Sequence, residues 1–473
     1  MPLSRRQFLL AASALVGAGA SLRASAAADA DILVLGAGLS GLSAALTLQQ
    51  AGARVQVIES RSRVGGRVLS FADVPGIPEA GGQSIGPGYG MLMTAARRFD
   101  VGLEDRLPAQ LRHSRVELVL GGEAIAPERW PSSPLNPFPD VDKPKLPWQY
   151  AATLLAEGNP LAPGTPWYAQ ANAAHDRPLH DFFLERGATE AAIKLAYDTN
   201  PSYGTSARDI SALQLMFIDA WTGMQRRMRP AAVYKAVGGN QRIPEAMAAG
   251  LEREVQLRTR AVALRQDAAG VTVTCDDGRR LKARLAICAL PFTALRRLSF
   301  EPRLSGVQQE AVQKLPYQQS TQVALVARRP FWKDDGLSPS MWCDSLLART
   351  FAHHEGDEVV SILVTAYGNK AAAIDRLGRE GAIRRVIAEF EAARPSARGQ
   401  LQAVAWHSWG LDPDAGGSWA VFAPGTVTRY LPAMSAPHGR VHFCGEHTAL
   451  TARGMEGAME SGQRAAMEAL RQL

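Results

Sequence analysis

The chain has 473 residues, 46% of them apolar and 21% charged, which excludes a disordered or collagen-like chain and leaves room for two or three domain-sized units. The formal net charge is +7. The clusters Arg226-Arg227-Met228-Arg229 and Arg296-Arg297 have no interleaved aromatic residues, so no nucleic-acid partner is expected.

The chain opens on Ser4-Arg5-Arg6-Gln7-Phe8-Leu9, a twin-arginine pattern. A moderately apolar Ala/Gly-rich stretch runs from Leu9 to Leu22, and Ala24-Ser25-Ala26 has the small-x-small form of a cleavage site. Residues 1–26 are therefore expected to be a signal peptide read by the twin-arginine export machinery. The mature protein is then expected to be periplasmic. An amphipathic starting helix or an uncleaved anchor is the competing reading. Loss of Arg5, Arg6 and Arg23, with no acids in the leader, lowers the net charge from +7 to +4.

The run Asp31-Ile-Leu-Val-Leu-Gly36-Ala-Gly38-Leu39-Ser40-Gly41 predicts a short buried strand and a turn, and a helix follows from Leu42 to Gln50. Gly36 permits the turn, Gly38 admits a pyrophosphate, and Gly41 lets helix pack on strand. The helix N-terminus, at Leu39 and Ser40, faces the phosphates. A second strand, Arg54 to Ile58, ends in Glu59, about twenty residues past the glycines, where an acid takes a ribose hydroxyl. Strand, glycines, helix, strand and acid in this order predict a dinucleotide site, without separating NAD from FAD. Directly after comes Glu59-Ser60-Arg61-Ser62-Arg63-Val64-Gly65-Gly66-Arg67. Gly66 and Arg67 would set backbone amides and a bidentate cation against the same pyrophosphate.

Further along, Pro and Trp are dense from Pro127 to Trp148, predicting a surface loop, and helical patterns return from Leu179 to Met224. Ile243 to Leu251 predicts a helix. Strand pairs are expected at Arg260 to Leu264, Val271 to Cys275 and Arg284 to Leu290, and further strands near Ser320 to Ala327 and Val359 to Ala366. Gly381 to Arg394 predicts a helix. Cys275, Cys288, Cys343 and Cys444 form no disulfide framework; Cys275 and Cys288 are open to pairing, with unpaired strand cysteines the favoured reading. His353-His354-Glu355 is read as a polar loop, and no metal spacing appears. There is no apolar run of about twenty residues in the body, so no internal membrane span is expected.

With the residues from Glu59 to Arg67, the chain resembles the flavin amine oxidase family, which includes monoamine, polyamine and L-amino-acid oxidases. Glu79-Ala-Gly81-Gly82-Gln83-Ser84-Ile-Gly86-Pro87, Phe443-Cys-Gly445-Glu446-His-Thr448 and Gly454-Met455-Glu456-Gly457-Ala458 extend the likeness, which spans about residue 30 to the end. The resemblance implies FAD rather than NAD. It implies cofactor contacts from Gly36, Gly38, Leu39, Ser40, Gly41, Glu59, Ser60, Arg61, Gly66, Arg67, Gly82, Gln83, Ser84, Val262, Gly445, Glu446, Gly454 and Met455. Twin-arginine export, which carries folded proteins, suits a chain that must take up FAD before crossing.

The implied fold is α/β: a Rossmann-type, doubly wound βαβ FAD-binding domain (27–95, 231–290 and 396–473) with an interleaved α+β substrate-binding domain (96–230 and 291–395), as in monoamine oxidases. The implied chemistry is hydride transfer from the α-carbon of a neutral amine to the flavin, the imine then being hydrolysed. Within Gly417-Ser418-Trp419-Ala-Val-Phe422, Trp419 matches one aromatic of the family's amine cage, whose electron-rich face holds an amine or its cation. Trp406 and Trp409 are read as packing residues.

Three departures qualify the likeness. Ser418 stands where monoamine oxidases attach flavin through cysteine, so FAD is expected to be non-covalent. Gly454 stands where they carry the second cage tyrosine, so that half of the cage is missing or supplied from elsewhere, leaving room for substrate. Gln322 stands where a lysine usually holds a water near the flavin and is linked with oxygen reactivity. Oxygen or a periplasmic electron acceptor such as a cytochrome is then expected to take the electrons. The closest rival is an L-amino-acid oxidase, which needs a cation for the substrate carboxylate; Arg226, Arg227, Arg229 and Arg242 are candidates by position. A desaturase or protoporphyrinogen-type oxidase of an apolar substrate keeps the fold and changes the chemistry, and a non-catalytic flavoprotein is the bland reading. A second copy of the chain is a candidate partner.

Overall fold

The computed structural model describes residues 29–473; the expected twin-arginine leader lies outside the described residues. In chain order, β1 (Ala30–Leu35), α1 (Leu39–Gln50) and β2 (Val55–Ile58) open the fold. β3 (Glu117–Leu120), β4 (Glu123–Ile125) and α2 (Ala212–Arg227) follow. Then come β5 (Ala261–Asp267), β6 (Gly270–Cys275), β7 (Arg280–Cys288), β8 (Ser299–Glu301) and β9 (Ser320–Ala327). Next are β10 (Met341–Cys343), β11 (Arg349–Glu355), β12 (Glu358–Tyr367) and α3 (Gly378–Ala393). β13 (Leu401–Ser408), β14 (Val441–Phe443) and α4 (Gly454–Gln472) complete the chain.

Two seven-stranded sheets result. The first runs β8-β5-β6-β7-β1-β2, with β14 also on β7. Its heart is parallel: Ile32 pairs Val55 on one side and Leu285 on the other, and Ala286 pairs Val441. Every residue of β1 and β2 is buried, as mostly apolar strands in a parallel sheet covered on both faces should be. Replacing Leu33, fully buried, by Ala should cost roughly 2–5 kcal/mol. β5, β6 and β7 form an antiparallel meander beside it. The second sheet runs β13-β9-β12-β11-β10-β3-β4.

The strand, turn, helix, strand reading near the start is borne out, with α1 beginning at Leu39 rather than Leu42 because Gly38 already serves as its cap. α4 returns from the far end of the chain to lie on α1. A Cβ at Gly462 would sit 2.1 Å from the Ser40 carbonyl oxygen, and the Ser43 hydroxyl donates to Met459 O at 2.9 Å.

Several expectations are corrected. His353, His354 and Glu355 are in β11, paired with β12, and not in a polar loop; the pairing supplies the backbone partners that the polar side chains concealed. The Pro127 to Trp148 stretch is irregular and exposed at Leu135 and Val141, as a surface loop should be, but buried aromatics pin it to the core. Trp130 and Phe138 are buried, the Trp130 indole donates to Lys145 O at 2.8 Å, and Phe138 stacks on Tyr150 with ring centroids 4.2 Å apart. Its prolines break regular elements while its aromatics fill core. Two strands cross the expected boundaries: β8 joins the first sheet through β5, and β13 joins the second through β9. All four cysteines are free and buried. Among the described residues no helix is long and apolar enough to cross a membrane, and no His/Cys/Asp/Glu group has the form of a metal site.

Candidate functional site

Gly36 turns the chain out of β1 with φ +103°, a conformation that side chains on Cα disfavour. Its amide donates to Ile58 O at 2.8 Å, anchoring the loop on β2. A Cβ at Gly41 would lie 2.0 Å from the Gly36 oxygen, so only glycine lets α1 start hard against the strand. The start of α1 has no side-chain cap, which leaves its first amides for an anion. Glu59, buried at the end of β2, accepts the Ala37 amide on one oxygen and the Arg61 amide on the other, each at 2.9 Å.

The second glycine pair faces the first. The Gly65 amide donates to Ala37 O at 2.8 Å, and a Cβ at Gly66 would meet the Gly38 Cα at 3.2 Å. Two bare backbones thus form opposite walls. Arg63 braces this loop by donating to the carbonyls of Val64, Gly66 and Val68 at 2.9–3.2 Å. Burial and the neighbouring Arg61 charge bring its guanidinium down to about 10. Arg67 lines the same space and reaches on to the Trp419 segment: one nitrogen donates to Glu446 Oε1 at 2.9 Å and Ser418 O at 3.0 Å, and the same Glu446 oxygen accepts the Ala420 amide at 3.0 Å.

A cavity of about 700 Å³ takes in both glycine loops, Glu59, Val262, Arg67, Gly82 and Trp419. Around Trp419 it is aromatic. Tyr203 and Tyr367 lie with ring centroids 5.5 and 5.6 Å from the indole, and the Trp419 nitrogen donates to Ser202 O at 3.2 Å. Burial pushes both phenols above the ordinary tyrosine range, so they stay neutral and can donate. Gln322, on β9, is buried, lines the same cavity, and has an Oε1 without a hydrogen-bond partner.

Of the residues expected at the cofactor, Gly36, Gly38, Leu39, Ser40, Glu59, Ser60, Arg61, Gly66, Arg67, Gly82, Gln83, Ser84, Val262, Glu446, Gly454 and Met455 line this cavity, as do Trp419 and Gln322. Gly41 and Gly445 do not: Gly41 serves helix packing, and Gly445 makes space for the His447 ring, which a Cβ there would meet at 2.3 Å. Trp406 packs in the core of the second sheet. Trp409 packs too, donating to Ala80 O at 2.8 Å, but its ring also reaches the cavity. Arg226, Arg227, Arg229 and Arg242 are all exposed and none lines the cavity. The end of α2 carries the first two outward.

The cavity gains residues that the sequence did not single out: Tyr89, Tyr203, Tyr367 and Arg453. Tyr367 is one residue beyond a predicted strand, and Arg453 is next to Gly454, so both were within reach. Tyr203 lies in a turn-rich stretch with no pattern to mark it.

The lining fits the FAD that the family resemblance implies. Paired glycine walls, an uncapped helix start and Arg67 suit a pyrophosphate; Glu59 suits a ribose. Gly82, where a Cβ would meet Met455 Sδ at 2.9 Å, keeps a further wall bare.

Comparison with known proteins agrees with this geometry. The profile of a family described as flavin containing amine oxidoreductase matches residues 39–470. The chain is 30% identical to "Putative flavin-containing monoamine oxidase AofH" of Mycobacterium tuberculosis, over 93% of this chain and 96% of that one. It is 25% identical to an L-amino-acid oxidase of Bothrops moojeni, over 92% and 88% of the two chains. Among solved structures, a putrescine oxidase bound to putrescine superposes with TM-score 0.72 at 22% identity, covering 93% of this chain and 99% of that one. Cyclohexylamine oxidase from Brevibacterium oxydans gives 0.71 at 20%, covering 94% and 99%. These two likenesses concern the fold.

Proposed function

Because this chain belongs to the flavin containing amine oxidoreductase family, we propose that its aromatic pocket holds an amine beside the cofactor for oxidation. The protein is an FAD-dependent amine oxidoreductase. The observation that carries the placement is one cavity lined by both the glycine loops and the Trp419 cluster. Bound FAD would supply the acceptor for a hydride from the amine α-carbon; with loss of one N–H proton to solvent the amine becomes an imine, which water hydrolyses.

The chain's own residues bind and orient. Trp419, fixed by its bond to Ser202 O, presents an electron-rich face to the amine. Tyr203 and Tyr367 flank that face and supply the part of the cage that Gly454 leaves open. Among the described residues the pocket offers no carboxylate free to act as a base: Glu446 is held by Arg67, Asp414 by Arg260, and Glu59 by the Ala37 and Arg61 amides. The amine must therefore arrive neutral or lose its proton to water. Ser418 carries a hydroxyl that donates to Gln318 O at 3.0 Å and no thiol, which supports non-covalent FAD. Gln322, in place of a lysine, supports slow use of oxygen and a second acceptor such as a periplasmic cytochrome. The twin-arginine leader supports export of the folded, loaded enzyme to the periplasm.

Mixing the holoenzyme anaerobically with a panel of primary amines and amino acids tests the reading. Loss of the oxidised-flavin absorbance with at least one of them is expected. A flavin that no amine or amino acid bleaches would overturn it.

A further inference from the structure

Arg453 precedes Gly454 at the start of α4 and faces the cavity beside Trp419. One of its nitrogens donates to the Tyr203 hydroxyl at 2.6 Å. Among the described residues its guanidinium makes no other hydrogen bond and no ion pair, although arginine carries five N–H donors and keeps its charge. Glu446, the acid on this part of the lining, is occupied by Arg67 and the Ala420 amide. Behind the aromatic wall stand two more cations without a carboxylate. Arg349 lies against the Tyr367 ring at 5.6 Å and donates to Ser202 Oγ at 3.1 Å, and Lys370 donates to Asn200 Oδ1 at 2.8 Å and Cys343 O at 3.1 Å. The field in the pocket is therefore positive, and its foremost cation has donors to spare.

Such a site is poor for a second ammonium group and good for an anion. We propose that the substrate is an α-amino acid whose carboxylate is bound by Arg453 together with the Tyr203 hydroxyl; the proposal rests on the amine-oxidation reading and specifies its substrate class. The planar fork of the guanidinium matches a carboxylate. Binding it there sets the neighbouring amino group toward Trp419, because Tyr203 touches both Arg453 and the indole. A side chamber of about 90 Å³ opens from the same residues and is walled by Trp167, Phe217, Ile218 and Phe422. It suits an apolar or aromatic side chain. Oxidation removes two electrons and the α-hydrogen to the flavin and one N–H proton to solvent. Water then adds to the imino acid, ammonia leaves, and a 2-oxo acid is the product.

Matched pairs test this. Anaerobic reduction of the holoenzyme should be at least about tenfold more efficient with phenylalanine than with 2-phenylethylamine, and with leucine than with 3-methylbutylamine. Arg453→Met should lose roughly 10- to 100-fold with the amino acids, and the ratio of amino-acid to amine efficiency should fall with it. Binding without turnover gives a second readout: calorimetry should detect 3-phenylpropanoate on wild type, weaker binding on Tyr203→Phe, and none on Arg453→Met of equal flavin content. Arg453→Lys, which keeps charge and loses the fork, should fall between. Reduction by amines but not amino acids, or unchanged 3-phenylpropanoate binding in Arg453→Met, would overturn the carboxylate assignment and leave amine oxidation standing. Failure of both substrate classes to reduce the flavin would instead remove the amine-oxidation reading.

Discussion

Arg67 and Glu446 meet at 2.9 Å, joining the second glycine loop to the loop after β14. Both side chains are mostly buried, and each reaches the Trp419 segment as well, through Ser418 O and the Ala420 amide. The pair thus ties the cofactor cradle to the residue proposed to orient the amine.

Arg67→Ala should loosen FAD by about 1.5–3 kcal/mol, the worth of a charge-assisted contact. It should also slow flavin reduction, since Ser418 and Trp419 lose an anchor. Dialysis against FAD-free buffer, followed by cofactor quantification, reads the first effect. Retention equal to wild type would count against a pyrophosphate role for Arg67.

Cofactor attachment is tested more simply. With a serine at position 418, acid precipitation should leave a colourless pellet and free FAD in the supernatant. A yellow pellet would show a covalent bond that this serine cannot make.

Trp419→Ala and Gln322→Lys should act on opposite half-reactions. The first removes the orienting face and should slow anaerobic flavin reduction by at least about tenfold, with reoxidation little changed. The second should speed reoxidation by oxygen and leave reduction nearly as it was. Stopped-flow kinetics separates them. Fast reoxidation in wild type, unaffected by Gln322→Lys, would end the case for another acceptor.

The proposed export would rest on Arg5 and Arg6. Replacing both by Lys should leave active, uncleaved enzyme in the cytoplasm, seen by fractionation and by mass. Normal periplasmic activity in the double variant would refute the address.

Glu79 offers a pH test. It is buried against Ser70 Oγ at 2.6 Å and the Asn240 amide at 2.9 Å, and burial pushes its carboxyl up from 4.5 to about 7. A raised folded value means that the native state binds the proton more tightly than the unfolded chain. Stability from this group is therefore full below about pH 4.5 and is lost as pH rises toward 7, by on the order of 3 kcal/mol. Thermal midpoints of wild type and Glu79→Gln at pH 5 and pH 8 should show a smaller pH dependence in the variant. Equal dependence would mean that Glu79 is ionised throughout.

The nucleotide half of the site could be read from sequence because its chemistry is local. Gly36, Gly38, Leu39, Ser40 and Glu59 act within one βαβ unit, and their spacing alone defines the loop. The substrate half draws on distant segments: Tyr203 from a turn, Tyr367 from the end of β12, Trp419 from the loop after β13 and Arg453 from the cap of α4. No spacing rule connects these. The four arginines proposed from position lie off the cavity, and for Arg226 and Arg227 the reason is the same, since which face of α2 meets the cavity is decided by packing. β11 was misread because histidines and an acid look like a loop when the paired strand is unknown.

The lean of α4 on α1, with Gly462 against Ser40 and Met455 on the cavity wall, places the first and last parts of the chain in one binding surface. During synthesis the glycine loop leaves the ribosome hundreds of residues before its covering helix exists. FAD can then be held firmly only once Gly454–Gln472 has emerged, so cofactor capture is a late event in synthesis. Loss of the last helix by premature termination would yield a colourless product rather than a weakly active one, and an export route that accepts folded cargo would have a ready means of telling the two apart.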